Sequence, residues 1–475
     1  MKRVHLIGIC GTGMSALAAM LKVCGFEVSG SDCAVYPPMS NFLKEQGITP
    51  TLGYRAENVE DDLDLVIVGN AISRGNPELE EVLNRKIRYA SLPEILRDRF
   101  LWGARSIVIA GTHGKTTTAA ITSWLLYHGS LDPNFFIGGV PVNFNSGYRL
   151  GCGRDFVIEG DEYDSAFFDK TAKFLKYLPD IAVVGNIEFD HADIYETLES
   201  IRLEFRRLVS LVPRQGLLFL GNDSDEALSL RSSAHCRIET FGLSSGADWR
   251  AENLAIEGNT TKFEVYHSDK FYGVCEVGLV GSHNIRNTLA ALAVASHVGL
   301  DSSNLIEGLR RFLGVKRRLE LKGTVAGVSV YDDFAHHPTA ITETVSALRT
   351  AHPGRRIWAV FEPRSASACS NIFQAEFVGS FLGADEIIIA GVYRDNLPVN
   401  ARLSVEKLIN DLQHNGQSAR YGRTTNEIVD MIVEECRDDD VVLLMSNGSF
   451  DGIHQKLLEV LKRASSDDSI KDVEV

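Results

Sequence analysis

Short apolar runs alternate with amphipathic stretches along nearly the whole chain. That pattern predicts strands and helices in α/β order, with largely parallel sheets. The first run, residues 3–8, reads as a strand. It enters the turn Gly8-Ile9-Cys10-Gly11-Thr12-Gly13-Met14 and then a helix over about 15–23. A second strand, 27–30, ends at Ser31-Asp32, so the chain opens as a Rossmann-like βαβ unit. Its glycines follow G-x-x-G-x-G rather than G-x-G-x-x-G, which weakens a dinucleotide reading. The strand Leu65–Val68 runs into a polar loop, 69–77, that carries Ser73, Arg74 and Asn76. Such a loop lies at the carboxyl end of a strand, where open α/β sheets bind ligands.

Residues 98–104 read as a boundary before the next strand, 106–110. Further strands are expected at 156–160 and 181–184, and the stretch 214–280 reads as β-rich and hairpin-like. A helix carrying Asn284 and Asn287 follows. The pattern restarts at 328–333 and continues through strands at Ile357–Phe361, Glu386–Ala390 and Val441–Met445. The tail after Ala464 is polar and acidic and reads as frayed. The resulting expectation is an α/β chain of three units, 1–103, 104–315 and 316–475.

The strongest chemical signal is Gly111-Thr112-His113-Gly114-Lys115-Thr116-Thr117-Thr118, between a buried-looking strand and an apolar helical run over 119–127. The glycines let backbone N–H groups approach an anion, and the helix N-terminus favours negative charge. Lys115 neutralises phosphate oxygens, and a hydroxyl can ligate Mg²⁺. Ile109 stands where the usual first glycine would be, so this is a shortened phosphate loop. Glu159 and His191 both follow hydrophobic strands expected beside it. With the Thr116 hydroxyl they form a candidate magnesium or manganese set. The bland alternative makes Glu159 one solvated acid among Asp161, Glu162 and Asp164, and His191 a structural loop residue. Asn284 and Asn287 lie one helical turn apart, and their amides can both donate and accept, as an adenine edge requires; capping of the helix is the alternative. Asp332-Asp333-Phe334-Ala335-His336-His337-Pro338 suggests ribose and phosphate contacts. A metal pair there is ranked lower, because no third ligand is near in sequence.

Composition narrows the classes. The chain has 475 residues, 44% hydrophobic and 23% charged, with a net charge of −15. No long basic run offsets that charge, which argues against nucleic acid and anionic membranes as partners. No apolar run reaches a membrane span and no signal peptide is evident. The eight cysteines are scattered without a C-x-x-C pair. They read as reduced packing residues of a cytoplasmic protein. A monomer is expected.

GTHGKTTT, the Glu159 strand, NIEFDH, GSHNIRN, GVKRRLE and YDDFAHHP occur here in the order found in Mur ligases, and the chain resembles that family throughout. The resemblance implies three domains: UDP-sugar binding, central ATPase and C-terminal acceptor binding. It implies that ATP phosphorylates the carboxylate of a UDP-linked substrate and that an amine attacks the acyl phosphate. By the same resemblance, residues Gly111, Thr112, His113, Gly114, Lys115, Thr116 and Thr117 hold ATP, with Lys115 on the γ-phosphate. Thr116, Glu159 and His191 surround Mg²⁺. Asn284 and Asn287 flank adenine, Asp333 reaches the ribose, and Arg317 or Arg318 reaches phosphate as the domains close. His336 joins Lys115, Glu159 and His191 as a catalytic candidate. Several family members carry a carbamylated lysine downstream of the metal histidine. Here no lysine lies between His191 and Arg214, and Arg206 and Arg207 occupy that neighbourhood.

GICGTGMSALA and Ser31-Asp32 are similar to the branch whose donor is UDP-N-acetylmuramate, with Gly11, Thr12, Gly13, Asp32, Ser73, Arg74 and Asn76 as its contacts. VYPPMS, GNAISRGNP, GGVPVNF, DEYDSAFFDK, FEPRSAS and MSNGSFDGIH resemble the members that attach the tripeptide L-Ala-γ-D-Glu-meso-diaminopimelate in peptidoglycan recycling. Arg364 is then the candidate for an acceptor carboxylate, bound bidentately; a surface ion pair is its alternative. Attachment of L-alanine is the competing activity. A non-catalytic nucleotide sensor and a nicotinamide dehydrogenase remain as readings from other classes.

Overall fold

The computed structural model describes residues 2–393 and 397–471. Among the described residues, the first sheet contains β1 (Arg3–Ile7), β2 (Glu27–Asp32), β3 (Thr51–Leu52), β4 (Leu65–Val68) and β5 (Tyr89–Ser91). They run parallel in the order β3-β2-β1-β4-β5. The helix Thr12–Val23 starts at the end of the β1 turn.

The central sheet is built from β6 (Arg105–Ala110), β7 (Asn134–Phe136), β8 (Tyr148–Arg149) and β9 (Asp155–Gly160), followed by a separate hairpin, β10 (Asp164–Ala166) and β11 (Asp169–Ala172). It continues with β12 (Ile181–Val184), β13 (Leu217–Gly221), β14 (Arg237–Gly242), β15 (Trp249–Glu257), β16 (Thr260–His267) and β17 (Lys270–Val277). The order is β17-β16-β15-β14-β13-β12-β6-β9-β7-β8. Strand β6 therefore lies between β12 and β9, parallel to both. Ala110 pairs with Val184 on one side and Gly160 on the other. This register brings the phosphate loop, Glu159 and the segment after β12 out on one edge of the sheet. The three strands are almost wholly buried, as parallel strands covered on both faces should be.

The helix Lys115–His128 leaves that edge and packs on the Ala-rich helix Ser282–Val298 in one apolar cluster. Within the stretch 214–280, β15 to β17 form antiparallel hairpins. Strands β13 and β14 are instead parallel and separated by the short helix Asp225–Ser229, so the hairpin reading holds for only part of it.

The third sheet has the order β18-β19-β23-β20-β21-β22, from β18 (Glu320–Val325), β19 (Val328–Asp333), β20 (Ile357–Phe361), β21 (Glu386–Ala390), β22 (Ser418–Gly422) and β23 (Val441–Met445). Only β18 is antiparallel to its neighbour. The tail does not fray at Ala464: a helix runs over Ile453–Lys471. Among the described residues, no helix is long and apolar enough to cross a membrane.

Candidate active site

The phosphate loop is laced to the segment that follows β12. Thr112 donates its N–H to the Asn186 carbonyl at 3.0 Å, and His113 donates its N–H to Asn186 Oδ1 at 2.8 Å. Gly111 has φ +133°, and a Cβ there would lie 3.1 Å from the Asn186 carbonyl oxygen. Gly114 has φ +82°, and a Cβ there would lie 2.3 Å from Asn287 Oδ1. Both positions have a backbone conformation that favours glycine, and a side chain would be tight at Gly111 and would clash at Gly114. The result is a cradle whose backbone opens toward an anion at the start of the helix Lys115–His128.

Charge in the cradle is concentrated and paired. Lys115 Nζ lies 2.6 and 2.9 Å from the two Glu162 oxygens. His191 Nε2 lies 3.1 Å from Glu162 Oε1. Thr116 donates its hydroxyl to Glu159 Oε1 at 2.8 Å, while Glu159 Oε2 accepts the Gly138 N–H at 2.8 Å. Burial works to lower the Lys115 pKa, but the Glu162 and Asp161 carboxylates overcome it and hold the ammonium charged. Burial likewise works against charged Glu162, and Lys115 and His191 overcome it, so its pKa is depressed. His191 is raised, because Glu162 and Asp190 outweigh its own burial. His191 also sits at φ +54°, a conformation that costs a non-glycine residue about 1 kcal/mol or more. Its N–H is held by Asp190 Oδ1 at 2.7 Å.

Glu162 is the residue that sequence reasoning missed. A polar residue just past a strand end reads as solvated, yet the Glu162 side chain is only 2% exposed and joins Lys115 to His191. Arg206 and Arg207, expected in the place of a carbamylated lysine, pair instead with Glu199 and Glu204 on the helix Leu198–Ser210.

The third unit closes the cavity, which holds about 490 Å³ and is lined by Lys115, Glu159, His191, Asn284, Asn287, Asp333 and His336, among others. Asn287 accepts from the Thr118 hydroxyl at 3.2 Å and donates to Asn284 Oδ1 at 3.3 Å, so the two amides form one linked edge. The helix N-cap is Gly281, which makes no side-chain cap. Asp333 accepts N–H groups from Leu319 at 2.6 Å and Ala335 at 2.7 Å. Burial raises its pKa. His336 Nδ1 lies 2.9 Å from the Phe334 carbonyl, and burial lowers its pKa.

Of the two arginines at the junction, Arg318 faces the cavity and donates to Thr116 Oγ1 at 3.2 Å. Arg317, the other candidate for phosphate, does not line the cavity. Its backbone is left-handed at φ +62°, and its guanidinium donates to the Ser446 and Gly448 carbonyls at 2.5 and 2.6 Å.

The expected substrate contacts lie apart from this cavity. Gly11 precedes the helix Thr12–Val23, and Gly13 packs close to Leu92 and Phe136. Asp32 accepts the Cys10 N–H at 2.9 Å and so braces the glycine turn. In the loop after β4, Asn76 caps the helix Pro77–Asn84, accepting from the Glu78 and Leu79 N–H groups, and the Ser73 carbonyl accepts the Asn76 N–H. Arg74 pairs with Glu80 at 2.9 Å. Arg364 follows β20, with its guanidinium 3.6 Å from the Tyr393 ring centre and 3.5 Å from Glu362. None of these residues lines the cavity.

A glycine-laced anion cradle and a carboxylate–imidazole–lysine set, closed by a third α/β sheet, define a nucleotide-dependent enzyme of three units. Three family models match: Mur ligase family, catalytic domain over residues 3–99; Mur ligase middle domain over 109–295; and Mur ligase, glutamate ligase domain over 317–448. The UDP-N-acetylmuramate--L-alanyl-gamma-D-glutamyl-meso-2,6-diaminoheptandioate ligase of Escherichia coli K12 is 42% identical over 97% of this chain and 98% of its own. The UDP-N-acetylmuramate--L-alanine ligase of Desulforamulus reducens is 35% identical over 97% and 98%. Among solved structures, a murein peptide ligase from Psychrobacter arcticus matches with a TM-score of 0.73 and 34% identity, over 97% of this chain and 99% of that one. The chain belongs to the Mur ligase family, whose members are ATP-dependent ligases that generally need Mg²⁺.

Proposed function

We propose that the protein joins the lactyl carboxylate of UDP-N-acetylmuramate to the amino terminus of L-Ala-γ-D-Glu-meso-diaminopimelate, in the cytoplasm and in peptidoglycan recycling. The observation that carries the acceptor is the full-length likeness to the tripeptide ligase, 42% against 35% for the alanine ligase. The chemical need is plain. A carboxylate resists attack by an amine until one oxygen becomes a leaving group. Bound ATP supplies that activation by phosphorylating the carboxylate with loss of ADP, and bound Mg²⁺ offsets the charge; the amine then forms the amide as phosphate leaves.

The cradle fits both. Backbone N–H groups at 114–117 and Lys115 receive phosphate, and Thr116, Glu159 and His191 hold the cation. Glu159, Asp161 and Asp190 line this end of the cavity, and Asp161 is paired with Lys173 at 2.7 Å, which leaves the oxygens of Glu159 and Asp190 without a lysine or arginine partner among the described residues. Asn284 and Asn287 receive adenine, Asp333 the ribose and Arg318 the transferred phosphoryl group. His336 has its Nδ1–H committed to the Phe334 carbonyl. The free Nε2 lone pair is suited to take the proton released by the attacking amine. Gly11, Thr12, Gly13, Asp32, Ser73, Arg74 and Asn76 form the rim for the UDP-sugar. Arg364, stacked on Tyr393, binds an acceptor carboxylate.

The test is ADP release with UDP-N-acetylmuramate, ATP and Mg²⁺, comparing the tripeptide with L-alanine. Turnover with the tripeptide alone supports this reading. Turnover with L-alanine alone overturns the acceptor assignment and leaves the ligase chemistry standing.

A further inference from the structure

A second cluster of metal-binding side chains lies at the junction of the central and C-terminal units. His113, Glu188 and His337 each present one ligand atom, and these atoms lie within 4.8 Å of one another. Glu188 Oε2 is 3.3 Å from His113 Nε2 and 3.6 Å from His337 Nδ1. A tetrahedral zinc ion, with bonds of about 2.0–2.2 Å, needs neighbouring ligand atoms roughly 3.3–3.6 Å apart. Two of the three edges already have that length.

The surroundings orient the ligands. His337 Nε2 lies 3.1 Å from the Phe189 carbonyl. A carbonyl only accepts, so Nε2 carries the proton and Nδ1 keeps its lone pair toward Glu188. The Thr339 N–H reaches that lone pair at a long 3.3 Å, and an ion would take its place. The Thr339 hydroxyl donates to Glu188 Oε2 at 2.6 Å and fixes the carboxylate. His113 is anchored through its backbone to Asn186. Two imidazoles and one carboxylate form a donor set richer in nitrogen than Thr116, Glu159 and His191, which offer one imidazole beside a hydroxyl and a carboxylate. Such a set selects zinc-like ions over magnesium.

We propose that His113, Glu188 and His337 bind one borderline divalent transition ion, of the zinc class, which ties the C-terminal unit to the phosphate loop. The ligands come from the loop after β6, the segment after β12 and the N-cap of the helix Pro338–Ala351. An ion there would oppose separation of the two units.

The experiment is equilibrium dialysis of the full chain against Zn²⁺ in excess Mg²⁺, with thermal unfolding as a second readout. The variants are His337→Asn, which preserves an N-cap, and His191→Asn, which removes the ligand expected for magnesium. Expected is one Zn²⁺ retained by the wild type and by His191→Asn, a higher Tm with zinc in both, and a loss of affinity of about tenfold or more in His337→Asn. Equal retention by His337→Asn, loss confined to His191→Asn, or no retention by the wild type at micromolar Zn²⁺ overturns the proposal. Glu188→Gln, judged by the same criteria, decides the matter if His337→Asn does not fold.

Discussion

Arg318 donates to the hydroxyl of Thr116 at 3.2 Å, linking the start of the C-terminal unit to the first turn of the phosphate-loop helix. Thr116 in turn donates its hydroxyl hydrogen bond to Glu159 Oε1 at 2.8 Å. The guanidinium thus reaches the candidate phosphate and cation site only while the two units are together. Arg318→Ala should lower kcat by about 10²–10³-fold, the usual cost of one preorganised donor to transition-state charge. Arg317→Ala should instead lower Tm and leave the ATP KM nearly unchanged, because its guanidinium braces the Ser446 and Gly448 carbonyls. Steady-state kinetics and thermal melts on both variants check the split.

Glu162 holds Lys115 and His191 together while almost completely buried. Removing one partner of such a pair strands the other charge. Glu162→Gln should therefore cost about 3–5 kcal/mol of stability. Lys115→Met in the same background should add less than it costs alone, with a coupling of roughly 1–3 kcal/mol. A double-mutant cycle by urea unfolding reads this directly. Additive losses would mean that the two side chains act independently.

These contacts show where the sequence is legible. The phosphate loop, Glu159 and His191 could be placed because each follows a short apolar run, and fully buried parallel strands put their ends on one edge. Strands β18 and β22 lack such runs: their positions are largely exposed or half-buried, and they were not expected. Arg317 and Arg318 are neighbours of equal chemistry, and only the folded chain, with Arg317 bound to the Ser446 and Gly448 carbonyls, shows which of them faces the cavity. Asn76 reads as a ligand contact in a polar loop, but one residue before Pro77 it also stands where a helix needs its cap. Burial of Glu162 depends on Lys115 and His191, which lie 47 and 29 positions away in the chain. No local pattern reports such a pairing.

Glu343, on the helix Pro338–Ala351, meets the start of the helix Ser282–Val298. It accepts from Arg286 at 2.6 Å and Ser282 at 3.1 Å, with His283 Nδ1 at 3.4 Å. Burial works to raise its pKa, but His283 and Arg286 overcome that and hold it at about 2. A depressed carboxyl pKa stabilises the fold fully above the unfolded value of about 4.3, and that contribution is lost as pH falls toward 2. Glu343→Gln should remove about 1–2 kcal/mol at pH 7, after allowance for solvent screening, and little near pH 2. Unfolding free energies measured across that range should converge for wild type and variant as pH falls. Parallel curves would show that Glu343 contributes nothing to the acid dependence.

Gly114 separates two effects that are usually confounded. At φ +82° any L-residue is strained, and a Cβ would also strike Asn287 Oδ1 at 2.3 Å. Gly246, at φ +102°, has nothing within 4 Å of such a Cβ. Gly246→Ala should thus carry only the backbone cost of about 1 kcal/mol and leave nucleotide affinity intact. Gly114→Ala should carry a similar strain and also push Asn287 away from Asn284 and Thr118, disturbing the amide edge proposed for adenine. Titration with an ATP analogue should then show at least tenfold weaker binding for Gly114→Ala alone, about 1.4 kcal/mol. Equal affinity in the two variants would mean that the Gly114–Asn287 contact does not shape the nucleotide site, and would remove the adenine role from Asn287.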